Sequence, residues 1–217
     1  MQHLIDFLRP GLRALPEHEP RAALHEHLAE SGTLLVVDVE MTGSDPQQHE
    51  VLEVGCVRVS LRDGLPEEAT WGERVRPKHI GTAIPGALKV VGYSPKAWRG
   101  AIELEAAVTR LEEMGTGTVL SGWGIGHDLT FLAEAFRRTQ RPWPFAPIAL
   151  DIQPIARSLL KRGEQVDRFN LGHVADRLGI GRMGEHSALA DALATYDVLV
   201  KLVELHGPAA NGQIPAS

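Results

Sequence analysis

The chain has 217 residues, room for one full domain with an appendage or at most two small domains. Hydrophobic residues at 43% and charged residues at 23% match ordinary globular usage, which excludes wholesale disorder and collagen-like or coiled-coil chains. A net charge of -6, from 22 basic and 28 acidic side chains, excludes a histone-like protein that coats nucleic acid by charge alone, but not an enzyme whose carboxylates are neutralised by cations.

The apolar runs, such as Leu34 to Val37, fall far short of the ~20 residues a membrane helix needs, and the first residues carry no basic-then-apolar signal. A cytoplasmic location and no membrane partner are expected. The single cysteine, Cys56, suits a reducing compartment and reads as a small core residue.

In chain order, residues 1–31 read as a polar, helical extension: Leu4, Phe7, Leu8, Leu12 and Leu15 are spaced for helix, while Pro10, Pro16 and Pro20 prevent a long one. From Gly32 the pattern changes. Thr33 to Val37 has no polar alternation, as expected of a strand covered on both faces, and Val51 to Val59 and Ala69 to Val75 complete a three-stranded meander. Pro77 to Gly92 reads as a loop with one helical turn, and Ser94-Pro95 predicts an N-cap with a helix following it. Ile102, Leu104, Val108, Leu111 and Met114 carry the amphipathic spacing, and Gly115 and Gly117 end it. Then come a strand at Thr118 to Leu120, a helix over Asp128 to Thr139 and a strand at Ile148 to Ile152. Helices follow over Gln153 to Lys161, Leu171 to Leu178 and Ala188 to Leu205. Strands first, then strands alternating with helices, predict an α/β domain over residues 32–206 with a mixed sheet flanked by helices, and residues 207–217 read as a flexible tail.

Ligands of such sheets favour the carboxyl ends of parallel strands, and Asp38 falls there. In Asp38-Val39-Glu40, positions i and i+2 of a strand point to one face about 6.6–6.8 Å apart, so two carboxylates converge while Val39 points away. Such a pair calls for a metal, a proton or a basic partner. Asp128 follows the glycine-containing turn Gly124-Ile125-Gly126-His127 at the start of a helix, where it serves as N-cap, faces the same cleft, or does both. His186 and Asp191 are five residues apart, about 140° around one helix, so they share a site only if His186 lies on the loop before it. Four carboxylates and a histidine suit two-metal phosphodiester hydrolysis. Hard oxygens favour Mg²⁺ or Mn²⁺, and a histidine with a reference pKa near 6.5 can take a proton at neutral pH.

These motifs resemble the DEDDh, or DnaQ-like, 3′–5′ exonucleases of the ribonuclease H-like fold. Asp38-Val39-Glu40-Met41-Thr42-Gly43 is similar to their first motif, Asp128 with Phe131-Leu132 to the second, and His186-x-x-x-x-Asp191 to the third. Ser187 stands where the sister class has tyrosine four residues before the last aspartate. The resemblance implies that Asp38, Glu40, Asp128 and Asp191 hold two divalent cations, Mg²⁺ or Mn²⁺, with His186 as general base. It also implies that Met41, Thr42 and His127, with Leu88 and Val91 of the segment Pro85 to Tyr93, meet the substrate. Glu40 to Pro46 and Gly122 to Leu132 look like oligoribonucleases, whereas Pro77 to Tyr93 looks like proofreading exonucleases. The implied partners are 3′ ends of single-stranded DNA or RNA, or short oligonucleotides, and a DNA polymerase or a second copy of the chain. A non-catalytic nucleic-acid-binding or polymerase-associated module of the same fold is the alternative. Arg74, Arg76, Lys78, Lys89, Lys96 and Arg99 add a basic flank between Thr70 and Gly100.

Overall fold

The computed structural model describes residues 2–14, 24–62, 64–160, 169–181 and 187–207. Among them, a six-stranded sheet runs in the spatial order β1-β6-β5-β2-β3-β4. The strands are β1 (Leu12–Ala14), β2 (Thr33–Met41), β3 (Val51–Ser60), β4 (Glu67–Arg74), β5 (Val119–Gly122) and β6 (Ile148–Asp151). β2, β3 and β4 form the expected antiparallel meander, β5 and β6 are parallel to β2, and β1 closes the far edge antiparallel to β6. The helices are α1 (Gln2–Leu8), α2 (Leu24–Ser31), α3 (Pro85–Val91), α4 (Leu104–Gly115), α5 (Gly126–Arg138), α6 (Ile152–Leu160), α7 (Leu171–Arg177) and α8 (Ala188–His206).

Alternation along the strands builds two cores. Leu34, Val36, Val57, Val59 and Leu150 pack with residues of α6, α7 and α8 and with Leu8 and Leu28 of the N-terminal segment. Leu35, Val37, Val39, Val54, Cys56 and Leu120 pack on the opposite face against α4 and α5. A sheet covered on both faces explains why β2 shows no polar alternation. Cys56 is buried there, and burial pushes its thiol up to about 12, so it is an inert core group.

Three elements differ from the sequence pattern, the first being α3, a helix of 7 residues within the stretch expected as loop. Leu12–Ala14, expected within helix, instead pairs with Ile148, Ala149 and Leu150 of β6. Ser94-Pro95 opens a turn rather than a helix: the Ser94 hydroxyl accepts from Ala97 N–H and its carbonyl from Trp98 N–H. The helix waits until Leu104 because Ile102 is pinned to the sheet edge, donating to Arg74 O and accepting from Arg76 N–H. Residues 208–217 of the expected tail lie outside the described residues.

Candidate active site

β2 carries Asp38 and Glu40 on the face that α8 covers, in phase with Leu34 and Val36. What brings α8 to them is a gap in the sheet. Asp38 lies opposite Gly55 of β3, and Gly55 opposite Gly72 of β4. A Cβ at Gly55 would collide with the backbone of Ala188 and Leu189, and one at Gly72 with the Leu189 side chain. The first turn of α8 therefore lies directly on this glycine pair, and its Asp191 meets the β2 carboxylates. Oxygens of Asp38, Glu40 and Asp191 all lie within 4.8 Å of one another.

Asp128 arrives from the other side of the sheet. β5 pairs with β2 only through Leu34, Leu35 and Val36, so the backbone of β2 beyond them is free for another partner. The first turn of α5 enters there, and Asp128 Oδ1 accepts from Val39 N–H at 3.0 Å. Asp128 is 7% exposed and is the third residue of the helix, after the N-cap Ile125, so it is not the N-cap. Its carboxylate faces the sheet.

Burial and mutual repulsion set the protonation of this group. Burial, then Asp128, Asp191, Glu40 and Glu53, hold the Asp38 carboxyl well above the usual range. Glu40 is pushed up to about 7 by burial and then by Asp191, Glu53 and Asp128. Asp128 also rises to about 7, burial outweighing the stabilising Val39 hydrogen bond. The groups that perturb Asp38 and Glu40 are burial and other carboxylates, with no cation among them. Three hard oxygen donors within reach of one another fit a divalent cation such as Mg²⁺ or Mn²⁺.

Two acidic residues at this site have no place in the sequence motifs. Glu53 is the cross-strand partner of Glu40, so their side chains share a face, and its Oε1 accepts from Ser187 Oγ at 2.9 Å. Asp151 ends β6 and accepts from Gly124 N–H at 2.9 Å and Gln153 N–H at 3.1 Å, fixing the turn that leads into α5. The signal for Glu53 is a lone carboxylate inside the apolar run of the second strand, legible only once register with β2 is known.

The expected substrate residues are distributed as follows. Met41 is half-buried beside the carboxylate pair. Thr42 is 0% exposed, and its polar groups are engaged: N–H and hydroxyl pair with Glu50, and its carbonyl accepts from Ile84 N–H. That last bond joins the first motif to the stretch before α3, whose Leu88 and Val91 are half-buried against Leu52, Trp98 and Ala101. His127 is exposed next to Asp128. His186 lies outside the described residues, adjacent in sequence to Ser187. In the basic flank, Arg76 pairs with Glu103, the N-cap of α4, Lys78 pairs with Glu105 in its first turn, and Arg74 lies over the Trp98 ring at 4.6 Å. A cavity of about 450 Å³ beneath the 45–50 loop, lined by His49, Lys78, Glu134 and Arg138 among others, contains none of the four carboxylates.

A mixed sheet covered by helices on both faces, with carboxylates at the C-terminal end of its central strand, is the ribonuclease H-like exonuclease fold. Escherichia coli Exonuclease I in complex with a dT13 oligonucleotide superposes with a TM-score of 0.68 at 22% identity, over 80% of this chain and 41% of that one. The RNase_T exonuclease family matches residues 35–199, and the chain belongs to this family of nucleic-acid hydrolases. A Mycobacterium tuberculosis protein carrying the name of a bifunctional exonuclease/endonuclease is 31% identical over 81% of this chain and 27% of its own length. The DNA polymerase III subunit epsilon of Aquifex aeolicus is 26% identical over 80% of this chain and 81% of its own. The PolC-type DNA polymerase III of Thermotoga petrophila is 24% identical, over 81% of this chain and 12% of its own. The chain thus spans about a quarter or less of the Mycobacterium and Thermotoga relatives and most of the Aquifex one. Among the described residues, no helix is long and apolar enough to cross a membrane.

Proposed function

We propose that this chain is a metal-dependent 3′–5′ exonuclease that releases nucleoside 5′-monophosphates from single-stranded ends, with residues 32–206 as its catalytic unit and the cytoplasm as its location. The observation that carries this reading is the convergence of Asp38, Glu40 and Asp191 from β2 and α8, with Asp128 entering from α5. A surface that only bound nucleic acid would have no reason to gather negative charge where phosphate must approach. These four side chains would hold two cations, Mg²⁺ or Mn²⁺. When bound, such ions activate water and stabilise the leaving oxygen of a phosphodiester.

The chain's own residues supply position and protons. Asp128, tied to Val39 N–H, fixes one wall of the site, and the carboxylates of β2 are set by a strand buried on both faces. His186 is the general base that takes the proton of the attacking water. Met41, Leu88, Val91 and His127 meet the terminal nucleotide, and Thr42 contributes through the wall that its bonds to Glu50 and Ile84 hold in place. Single-stranded DNA is the first substrate to try, because the Exonuclease I neighbour holds a dT13 oligonucleotide. A polymerase is the partner to try first, because two of the relatives are DNA polymerase III proteins.

The test is a time course with 5′-labelled single-stranded DNA, RNA and dinucleotides, in Mg²⁺, Mn²⁺ or chelator, beside Asp38→Ala. A ladder shortening from the 3′ end, dependent on metal and absent in the variant, is the expected result. Wild-type turnover by folded Asp38→Ala, or binding without cleavage by the wild type, would overturn the reading.

A further inference from the structure

Glu53 presents a puzzle that the exonuclease reading does not solve. It adds a negative charge beside Asp38 and Glu40, where repulsion is already high. Its cross-strand neighbour Arg74 does not neutralise it: that guanidinium lies over Trp98 and donates to Ala97 O. What Glu53 does hold is the Ser187 hydroxyl, at 2.9 Å across 134 positions of sequence.

Ser187 is the N-cap of α8, and its backbone is extended, as caps require, at φ -122 and ψ 128. A serine there ordinarily turns its oxygen back onto an N–H of the first turn. This one makes no such bond. Its hydroxyl is turned to β3 instead, and its carbonyl accepts from the N–H of Asp191 at 2.9 Å. An unbroken path therefore runs from the Glu53 carboxylate through Ser187 to the backbone of Asp191. It is the polar counterpart of the packing of Ala188 and Leu189 on Gly55 and Gly72.

We propose that Glu53 is a positioning residue, which tethers Ser187 and so sets Asp191 against Asp38 and Glu40. The inference rests on the metal-site reading above but concerns how the site is held. A carboxylate serves here because it accepts from a hydroxyl more strongly than a neutral acceptor does. Glu53 itself need not touch a cation.

The experiment compares Glu53→Ala, Ser187→Ala, Ser187→Thr and the double alanine variant with wild type and Asp38→Ala. Mn²⁺ binding is followed by electron paramagnetic resonance, and kcat and KM are measured on single-stranded DNA. Losing an outer-shell partner commonly costs 10–100-fold in metal affinity or activity. Glu53→Ala and Ser187→Ala should each weaken Mn²⁺ binding by about tenfold or more on that scale and lower kcat with little change in KM. The double variant should be no worse than the weaker single, because both remove one bond. Ser187→Thr, which keeps the hydroxyl, should recover most of the loss.

Ser187→Ala at wild-type affinity and kcat, or losses that multiply in the double variant, would overturn the tether, whatever Glu53→Ala does. Ser187→Ala leaves the charge of Glu53 in place, so it separates tethering from direct metal ligation and remains informative if Glu53→Ala fails to fold. A wild type that binds Mn²⁺ yet cleaves no substrate would refute the exonuclease reading alone, with the binding data still deciding the tether.

Discussion

Replacing Glu40 by glutamine should abolish hydrolysis and at the same time make the metal-free protein more stable. Glu40 rises from an ordinary 4.5 to about 7 in the folded protein. The folded state therefore binds more protons than the unfolded state between those values, and stability falls as pH rises through that window. At about 1.36 kcal/mol per pKa unit the full penalty above pH 7 is about 3 kcal/mol, and screening of this partly exposed group reduces it to about 1–2 kcal/mol. A chain of this size shifts its melting temperature by roughly 2–4 °C per kcal/mol. Glu40→Gln, isosteric and uncharged, should thus melt about 2–8 °C above wild type at pH 8 in chelator, with the gap closing toward pH 4.5. Saturating Mn²⁺ should raise the wild type and leave the variant nearly unmoved. Circular dichroism melts across pH, with and without metal, provide the measurement. A variant that melts below wild type at pH 8 in chelator, or a gap indifferent to pH, would show that Glu40 is held by favourable bonds and refute the electrostatic argument.

Three further outcomes follow from the same geometry. Gly55→Ala should cost about 1–3 kcal/mol in urea unfolding and lower activity in the protein that remains folded, since α8 must move off the sheet to admit a methyl group; unchanged stability and kcat would mean that α8 does not rest there. Asp151→Ala strips the acceptor from Gly124 and Gln153 N–H and should cost about 1–3 kcal/mol, whereas Asp151→Asn, which keeps one oxygen, should cost less; equal melting of the two variants would count against it. Metal loading should displace protons from Glu40 and Asp128, both near 7, so apparent Mg²⁺ affinity should climb between about pH 6 and pH 8. Calorimetry at pH 6.5 in buffers of different ionisation heat should register proton release that vanishes by about pH 9, and a pH-independent affinity would contradict the carboxylate assignment.

How much of this was legible in the sequence follows from the range over which each feature acts. Asp38 and Glu40 are two apart on one strand, so the alternation of β2 alone put them on a single face. That α8 would bring Asp191 to them was legible only through the family motif. Its physical cause, the glycine pair Gly55 and Gly72, depends on a register between β3 and β4 that periodicity does not reveal. Asp128 was divided between cap and site because both readings need the same local pattern. The Val39 N–H that decides it is 89 positions away, freed where β5 stops pairing with β2. Glu53 and Asp151 were missed for the same reason, each acting through partners on other segments. β1 escaped because Leu12 continues the helical spacing of Leu4 and Leu8, and Leu12–Ala14 become a strand only when β6 offers its edge.

The assembly of repelling carboxylates raises the question of what holds them together before any cation arrives. Burial and mutual repulsion disfavour the charged forms of Asp38, Glu40 and Asp128, and the group partly relieves itself by keeping protons near neutral pH. Against this stands the packing of α8, whose Val198, Leu199 and Leu202 are fully buried. At ~1.5–3 kcal/mol each, those three side chains alone contribute roughly 5–9 kcal/mol, an upper range because the unfolded chain also buries some surface. The same helix delivers Asp191, so the site is assembled by apolar burial two and three turns away from the charges. The carboxylates are thus gathered by packing that does not itself depend on a cation. Cations then bind a site whose ordering cost was met during folding, and metal concentration should control activity more strongly than it controls folding.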